Sequence, residues 1–227
     1  MNDTPEANAP LHSMTPSPSC SSTSTSIQVL VCDLGKVLLP FDFGSTKTFL
    51  KGQTHKSTVE DPWRVLIEIH DGMGYGTGKC DTACFYQEVA AQLDLGCTFE
   101  EFRTAYCEIF KEDMPVIKII ERVRVPHRFL LSNTNSIHWE WIIEHHPAAL
   151  QPFDHLLPSH EFHALKPDPQ IYRKVEALTG LGASSHLLID DIEANIEGAQ
   201  ACGWDGILYS SAASLRKALE SRGLLDP

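Results

Sequence analysis

The sequence predicts an α/β protein with a doubly wound, mostly parallel sheet and an inserted helical cap. Short runs of leucine and β-branched residues recur along the chain and are typical of strands buried on both faces. Helical patterns separate most of these runs, and this alternation implies right-handed crossovers between parallel strands. The first gap is an exception, because residues 45–114 carry only helical signals. This long segment predicts the cap.

Composition narrows the class of protein and its partners. The 227 residues carry a net charge of −12, and no basic run could neutralise nucleic-acid phosphates. No apolar run approaches the ~20 residues that span a bilayer. Residues 1–26 are rich in Ser, Thr and Pro and lack signal-peptide features, so we expect a disordered tail. Seven cysteines without repeating spacing predict reduced thiols. We therefore expect a cytoplasmic protein without nucleic-acid or membrane partners, and leave its oligomeric state open.

The first strand organises the predicted core, which comprises residues 27–41 and 115–227. Val29 to Val31 form a short buried run that ends before Asp33, and Gly35 allows a sharp turn. The later predicted strands are 129–131, 155–157, 186–189 and 206–209. Predicted helices lie between them at 116–123, from 137 to the stop at Pro147, after the Asp168–Pro169 start signal, and at 194–202 and 214–222.

The predicted cap covers residues 42–114. Asp61–Pro62 is a helix start signal, and the apolar positions after it follow a helical period. The glycine-rich stretch 71–79 lacks the features of a phosphate-binding loop, so we interpret it as a flexible turn between helices. Further helices are expected at 84–95 and 98–110.

Polar residues follow several of the predicted strands. They are Asp33, Ser132, Lys166 and the pair Asp190–Asp191, with Lys166 expected just past a strand. Each alone could be a turn acid, a capping serine or a solvated lysine. Parallel topology brings them to one edge of the sheet, where three carboxylates repel one another unless a cation lies among them. Oxygen ligands of this kind suit Mg²⁺.

Four segments in this order resemble the haloacid dehalogenase superfamily of phosphohydrolases with a helical cap. They are V-C-D-L-G-K-V-L at 31–38, L-L-S-N-T-N at 130–135, L-K-P-D-P-Q-I-Y at 165–172 and L-I-D-D-I-E-A-N-I-E-G-A at 188–199. The resemblance covers about residues 27–222. It is strongest to the branch that contains α-D-glucose-1-phosphate phosphatase and, more remotely, the phosphatase domain of soluble epoxide hydrolase.

The resemblance implies a nucleophile and a metal site. Asp33 would attack phosphorus and form an aspartyl-phosphate that water then cleaves. The carbonyl oxygen of Gly35 and the carboxylate of Asp191 would bind Mg²⁺, with Asp190 beside them. Asn195 would orient the loop of the two acids.

The resemblance also implies how phosphate is held. The Ser132 side chain and the Asn133 backbone would bind phosphate oxygens, and Lys166 would neutralise charge on the nucleophile and the phosphoryl group. The expected activity is Mg²⁺-dependent hydrolysis of a small phosphorylated metabolite, with sugar phosphates among the candidates. Two alternatives stay open: a dehalogenase-type hydrolase, and a catalytically weak member that binds a phosphorylated ligand or a protein.

Gly35 is the departure from the resemblance. Most phosphatases of the superfamily have a second Asp there, which protonates the leaving oxygen, and general acid catalysis typically contributes about 10²–10⁴-fold. The glucose-1-phosphate phosphatase branch shares the glycine. Its presence favours substrates whose leaving group needs little protonation, such as an anomeric, acyl or aryl oxygen. Lys36 and Asp42 are the nearby polar residues that could replace the acid.

Overall fold

The computed structural model describes residues 27–226. Residues 1–26, for which the sequence predicts a disordered tail, lie outside the described residues. Five strands form one sheet in the order β3-β2-β1-β4-β5, and every pairing is parallel. The strands are β1 (Val29–Cys32), β2 (His127–Ser132), β3 (His155–Pro158), β4 (His186–Asp190) and β5 (Asp205–Leu208). The predicted α/β class with a parallel sheet is confirmed.

Helices pack against both faces of the sheet. The helices before β2 are α1 (Gly44–Gln53), α2 (Pro62–Gly72), α3 (Thr82–Leu93), α4 (Phe99–Cys107) and α5 (Met114–Glu121). Those after it are α6 (Ser136–His145), α7 (Pro147–Leu150), α8 (Ser159–Phe162), α9 (Pro169–Thr179), α10 (Glu193–Ala201) and α11 (Ala212–Ser221). Within residues 27–226 no helix combines the length and apolar character needed to cross a membrane.

The sheet is buried on both sides because the side chains of β1 alternate between two apolar layers. Leu30 and Cys32 pack in one cluster with residues of α5, α6 and α11. Val29 and Val31 pack in the other with residues of α9 and α10. All four are fully buried. This two-sided burial explains why the strand sequence is continuously apolar rather than alternating.

Helices α1 to α4 form a separate helical layer. Their apolar residues share a third cluster that also includes Ile137 and Trp141 of α6, so the layer packs on the helix that follows β2. Residues of this layer and of the carboxyl end of β2 line one cavity, so the layer lies over that edge of the sheet. The boundaries 42–114 for a cap remain a prediction.

Two local expectations were wrong, and a third agrees with the structure. Residues 71–79 do not form a loose turn: they contain a 3₁₀ turn at Tyr75–Thr77, and Tyr75 is fully buried and stacked on Phe85 with ring centroids 4.2 Å apart. The predicted stop at Pro147 agrees with the structure, because α6 ends at His145 and the separate short helix α7 begins at the proline, which needs no N–H partner there. Lys166 does not follow a strand directly, since α8 intervenes between β3 and Lys166.

Candidate active site

The centre of the site is created by the register of β1 against β4. Cys32 pairs with Ile189, so the next residues, Asp33 and Asp190, lie side by side at the carboxyl edge of the sheet. The backbone N–H of Asp33 donates to the carbonyl oxygen of Ile189 at 2.8 Å and continues the ladder. The chain crosses from one half of the sheet to the other next to β1, and such a switch point is where open α/β sheets form a ligand crevice.

Lys166 joins the two acids. Its Nζ donates to Asp33 Oδ1 at 2.7 Å and to Asp190 Oδ2 at 2.6 Å. Lys166 is 3 % exposed, Asp33 8 % and Asp190 0 %. A buried ammonium between two carboxylates satisfies charges that would otherwise be costly in this environment. The loop between α8 and α9 carries Lys166 to a place that its position in the sequence does not reveal.

The side chain of Asn133 holds this loop in place. Its Oδ1 accepts from the backbone N–H of Lys166 at 2.9 Å, and its Nδ2 donates to the backbone carbonyl of Lys166 at 2.8 Å. The resemblance implies a role only for the backbone of Asn133. The amide clamp could not be read from the sequence because its two partners are atoms of a backbone 33 residues away.

A second pair of hydrogen bonds orients the Asp190 carboxylate. Asp190 Oδ1 accepts from the side-chain Nδ2 of Asn195 and from the backbone N–H of Ile192, both at 2.9 Å. Asn195 lies in α10 and is buried. Both carboxylate oxygens of Asp190 therefore accept hydrogen bonds from defined donors. The next residue, Asp191, is half-buried.

Burial and charge shift the pKa values of the site. Burial, with the neighbouring Asp190 carboxylate adding to it, raises the pKa of Asp33 to about 6 despite the attraction of Lys166. Burial alone would lower the pKa of Lys166, but Asp33 and Asp190 outweigh it, and the pKa is raised. The pKa of Asp191 is also raised, by burial and then by Asp190. The site thus holds more negative charge than its own lysine stabilises.

The three acids form a donor set that fits a divalent cation. Asp33, Asp190 and Asp191 each offer a carboxylate oxygen, and these oxygens lie within 4.8 Å of one another. Carboxylate oxygens are the ligands that Mg²⁺ prefers, so these three residues would fit the cation. Three carboxylates and one ammonium also leave two negative charges, the charge that Mg²⁺ would balance. Asp33 and Asp191 line a small pocket of about 130 Å³, and Gly35, Ser132 and Asn133 line the same pocket.

The position of Gly35 is closed by Phe41. A Cβ at residue 35 would lie 3.0 Å from Phe41 Cε1, so a side chain there requires the ring to move. Of the two residues considered as replacement acids, Lys36 lines the small pocket and Asp42 does not. Asp42 is exposed and accepts a hydrogen bond from the backbone N–H of Gly44 at 3.1 Å.

A larger cavity of about 330 Å³ adjoins the small pocket and shares Gly35, Phe41, Ser132 and Asn133 with it. Its other walls come from the helical layer and from α6, including Phe43, Trp63, Tyr106 and His138. The sequence does not indicate that these residues belong to a site, because an aromatic side chain at helical spacing predicts core packing equally well.

Comparison with known proteins supports the fold. No protein-family model matches the sequence. Among solved structures, the chain is similar to a HAD family enzyme from Bacteroides thetaiotaomicron in complex with magnesium and inorganic phosphate, with 21% identity and a TM-score of 0.72 over 82% of this chain and 95% of that one. It is similar to a predicted HAD-like family hydrolase from Porphyromonas gingivalis at 20% identity and a TM-score of 0.69, over 86% and 97% of the two chains.

A third similarity is to L-2-haloacid dehalogenase from Xanthobacter autotrophicus, at 18% identity and a TM-score of 0.56, covering 88% of this chain and 85% of that one. At these identities the similarities establish that the chain has the HAD fold. They do not distinguish the glucose-1-phosphate phosphatase branch from others.

Proposed function

We propose that this chain is a Mg²⁺-dependent phosphomonoester hydrolase of the HAD type that acts on a small phosphorylated metabolite. The observation that carries the proposal is the buried contact of Lys166 Nζ with both Asp33 and Asp190, beside Asp191 at the switch point of the sheet. The magnesium and phosphate complex of the Bacteroides thetaiotaomicron enzyme supports it, because that protein shares the fold.

The residues divide the work of two successive displacements. A carboxylate oxygen of Asp33 bonds to phosphorus while the bond from phosphorus to the ester oxygen breaks, and the leaving oxygen takes a proton from water. Water then attacks phosphorus and passes a proton to the hydroxide left by the first step, the bond from phosphorus to Asp33 breaks, and phosphate leaves with the carboxylate restored. Ser132 and the backbone of Asn133 would hold the phosphoryl oxygens.

Lys166 would keep Asp33 ionised and stabilise the charge that spreads over the transferring group. Its hydrogen bonds to Asp33 and Asp190 already aim the ammonium at the nucleophile. Asp33, Asp190, Asp191 and the carbonyl of Gly35 would hold the Mg²⁺. When bound, the cation would supply further compensation of phosphate charge.

The carboxylate cluster also bears on the alternatives. A dehalogenase acts on carbon and needs no divalent cation, so three adjacent acids would be an unexplained cost at its site. A protein that only binds a phosphorylated ligand would gain nothing from a buried carboxylate aimed into the pocket. These features favour phosphoryl transfer.

Activity on p-nitrophenyl phosphate tests the proposal. We expect hydrolysis that requires Mg²⁺ and disappears with EDTA, and its loss in Asp33→Asn. The exposed Asp42→Asn is the matched control and should retain activity. Cation-independent hydrolysis, activity only on 2-haloacids, or full activity of Asp33→Asn would each contradict the proposal.

A further inference from the structure

The larger cavity beside the candidate active site has an aromatic wall. Phe43 contacts Trp63 with ring centroids 4.6 Å apart, and Phe41 at 5.3 Å. The ring of Phe110 lies 5.9 Å from that of Phe41 and 5.4 Å from that of His138. These contacts make one continuous aromatic surface that begins at the small pocket beside Asp33, because Phe41 lines both this pocket and the larger cavity.

The wall carries little charge, because the side chains on it that can become positively charged are those of His70 and His138. Among the described residues 27–226, no Asp, Glu, Lys or Arg lines this cavity. His138 is buried, and burial lowers its pKa to about 4, so its ring is neutral at physiological pH. Its Nε2 lies 3.0 Å from the carbonyl oxygen of Tyr106 and is thus engaged within the protein.

The size of the cavity fits a single substituted ring. A cavity of about 150 Å³ lined by apolar side chains is enough to bind benzene. The space here is about 330 Å³, which leaves room for a ring with substituents and for the connection to phosphorus. A sugar in the same place would turn hydroxyl groups towards aromatic carbon, where they lose hydrogen bonds with water. The polar side chains of Asn133, Asn135 and His138 already form hydrogen bonds within the protein.

We propose that the substrate is a phosphomonoester of a compact aromatic alcohol or phenol, with the ring in this cavity and the phosphate at Asp33. The proposal rests on the proposed phosphatase function and narrows its substrate class. It also agrees with Gly35, because an aryl oxide leaves readily without the proton that an acid at this position would supply.

The test must separate recognition of the ring from the ease with which the leaving group departs. Benzyl phosphate and glycerol 3-phosphate both release primary alkoxides, so their comparison reports on the cavity. We expect kcat/KM for benzyl phosphate to be about 10- to 100-fold higher, mainly through KM, as burial of one aromatic ring predicts. Equal or better use of glycerol 3-phosphate or glucose 1-phosphate would overturn the inference while leaving the phosphatase function intact.

A pair of exposed leucines supplies matched variants. Leu165 lines the cavity and is 37% exposed, whereas Leu178 lies on α9 away from it and is 58% exposed. Leu165→Asn should lower the benzyl-to-glycerol ratio of kcat/KM, and Leu178→Asn should not. If Leu165→Asn instead disturbed only the adjacent Lys166, kcat/KM would fall equally for both substrates. The ratio would then be unchanged, and this result would count against the inference.

Binding without turnover provides an independent measurement. In the presence of Mg²⁺, phenylphosphonate should bind the wild-type chain about 10-fold or more tightly than methylphosphonate, measured by calorimetry. Equal affinities would refute the aromatic site. If no phosphomonoester is hydrolysed but phenylphosphonate still binds selectively, the phosphatase proposal fails and the cavity assignment stands as a binding site.

Discussion

Replacement of the proposed nucleophile should make the protein more stable. In Asp33→Asn, a neutral amide takes the place of a carboxylate whose pKa is raised to about 6 by burial and by Asp190. The ordinary pKa of this group is 3.8, so the folded state binds the proton more tightly than the unfolded state does. Stability is therefore lost as the pH rises from about 4 to about 6, and the loss persists at higher pH.

The magnitude follows from that shift. A difference of roughly two pKa units corresponds to roughly 3 kcal/mol, and the asparagine should recover most of it above pH 7. Below pH 4 the wild-type carboxyl group is also neutral, so the two proteins should then be equally stable. Such a gain on removal of a functional group is expected where an active site is built at the expense of stability.

Urea unfolding followed by fluorescence of the four tryptophans measures this difference between pH 4 and pH 8 in EDTA. Asp42→Asn is the control, because its exposed side chain caps Gly44 and an asparagine can accept the same hydrogen bond. Addition of Mg²⁺ should narrow the gap, since a cation stabilises the wild-type carboxylate. An Asp33→Asn protein that is less stable than wild type at pH 8, or a gap that does not change with pH, would refute the reasoning.

Three further predictions concern residues of the candidate site and of the adjoining larger cavity. Lys166→Met should abolish turnover and lower the free energy of unfolding by about 3–5 kcal/mol, because it leaves buried carboxylates unpaired. Lys118→Met, at an exposed lysine, is the control and should change neither quantity in the same assays. Burial lowers the pKa of His138 to about 4 in the folded protein, whereas the unfolded chain binds the proton near pH 6.5. As the pH falls from 6.5 to 4, this residue should therefore lower the free energy of unfolding by roughly 3 kcal/mol. Urea unfolding of wild type and of His138→Gln over this pH range isolates that contribution. Gly35→Asp alone should raise kcat on alkyl phosphates only slightly, because the Phe41 ring crowds the new side chain. The double variant with Phe41→Ala should have a higher kcat. Equal rates for the single and double variants would show that the ring imposes no limit.

Most of the fold could be predicted from the sequence because its signals are local. Val29 to Val31 are apolar without alternation, and the structure buries them from both faces, as a central parallel strand requires. Asp61 and Thr98 begin helices through hydrogen bonds to nearby backbone N–H groups, which depend on residues two or three positions away. The short helix α8 was missed because four residues contain too little periodic pattern to recognise.

The candidate site was less accessible to the same reasoning. The adjacency of Asp33 and Asp190 follows from two apolar runs and parallel pairing, so the sequence could indicate it. The approach of Lys166 could not be derived in that way. It depends on the course of a loop and on the Asn133 side chain, which recognises backbone atoms that carry no sequence information.

By itself, the sequence determined the order of the five strands and of most helices, the places where acids follow strands, and the absence of a side chain at residue 35. The tertiary structure alone decided that Phe41 fills the space beside Gly35 and that Tyr106 and His138 from distant elements meet in one cavity wall. The physical reason is that helical and strand periodicity depends on neighbours within a few residues. Whether an aromatic side chain fills the core or lines a cavity depends instead on the packing of segments far apart in the chain.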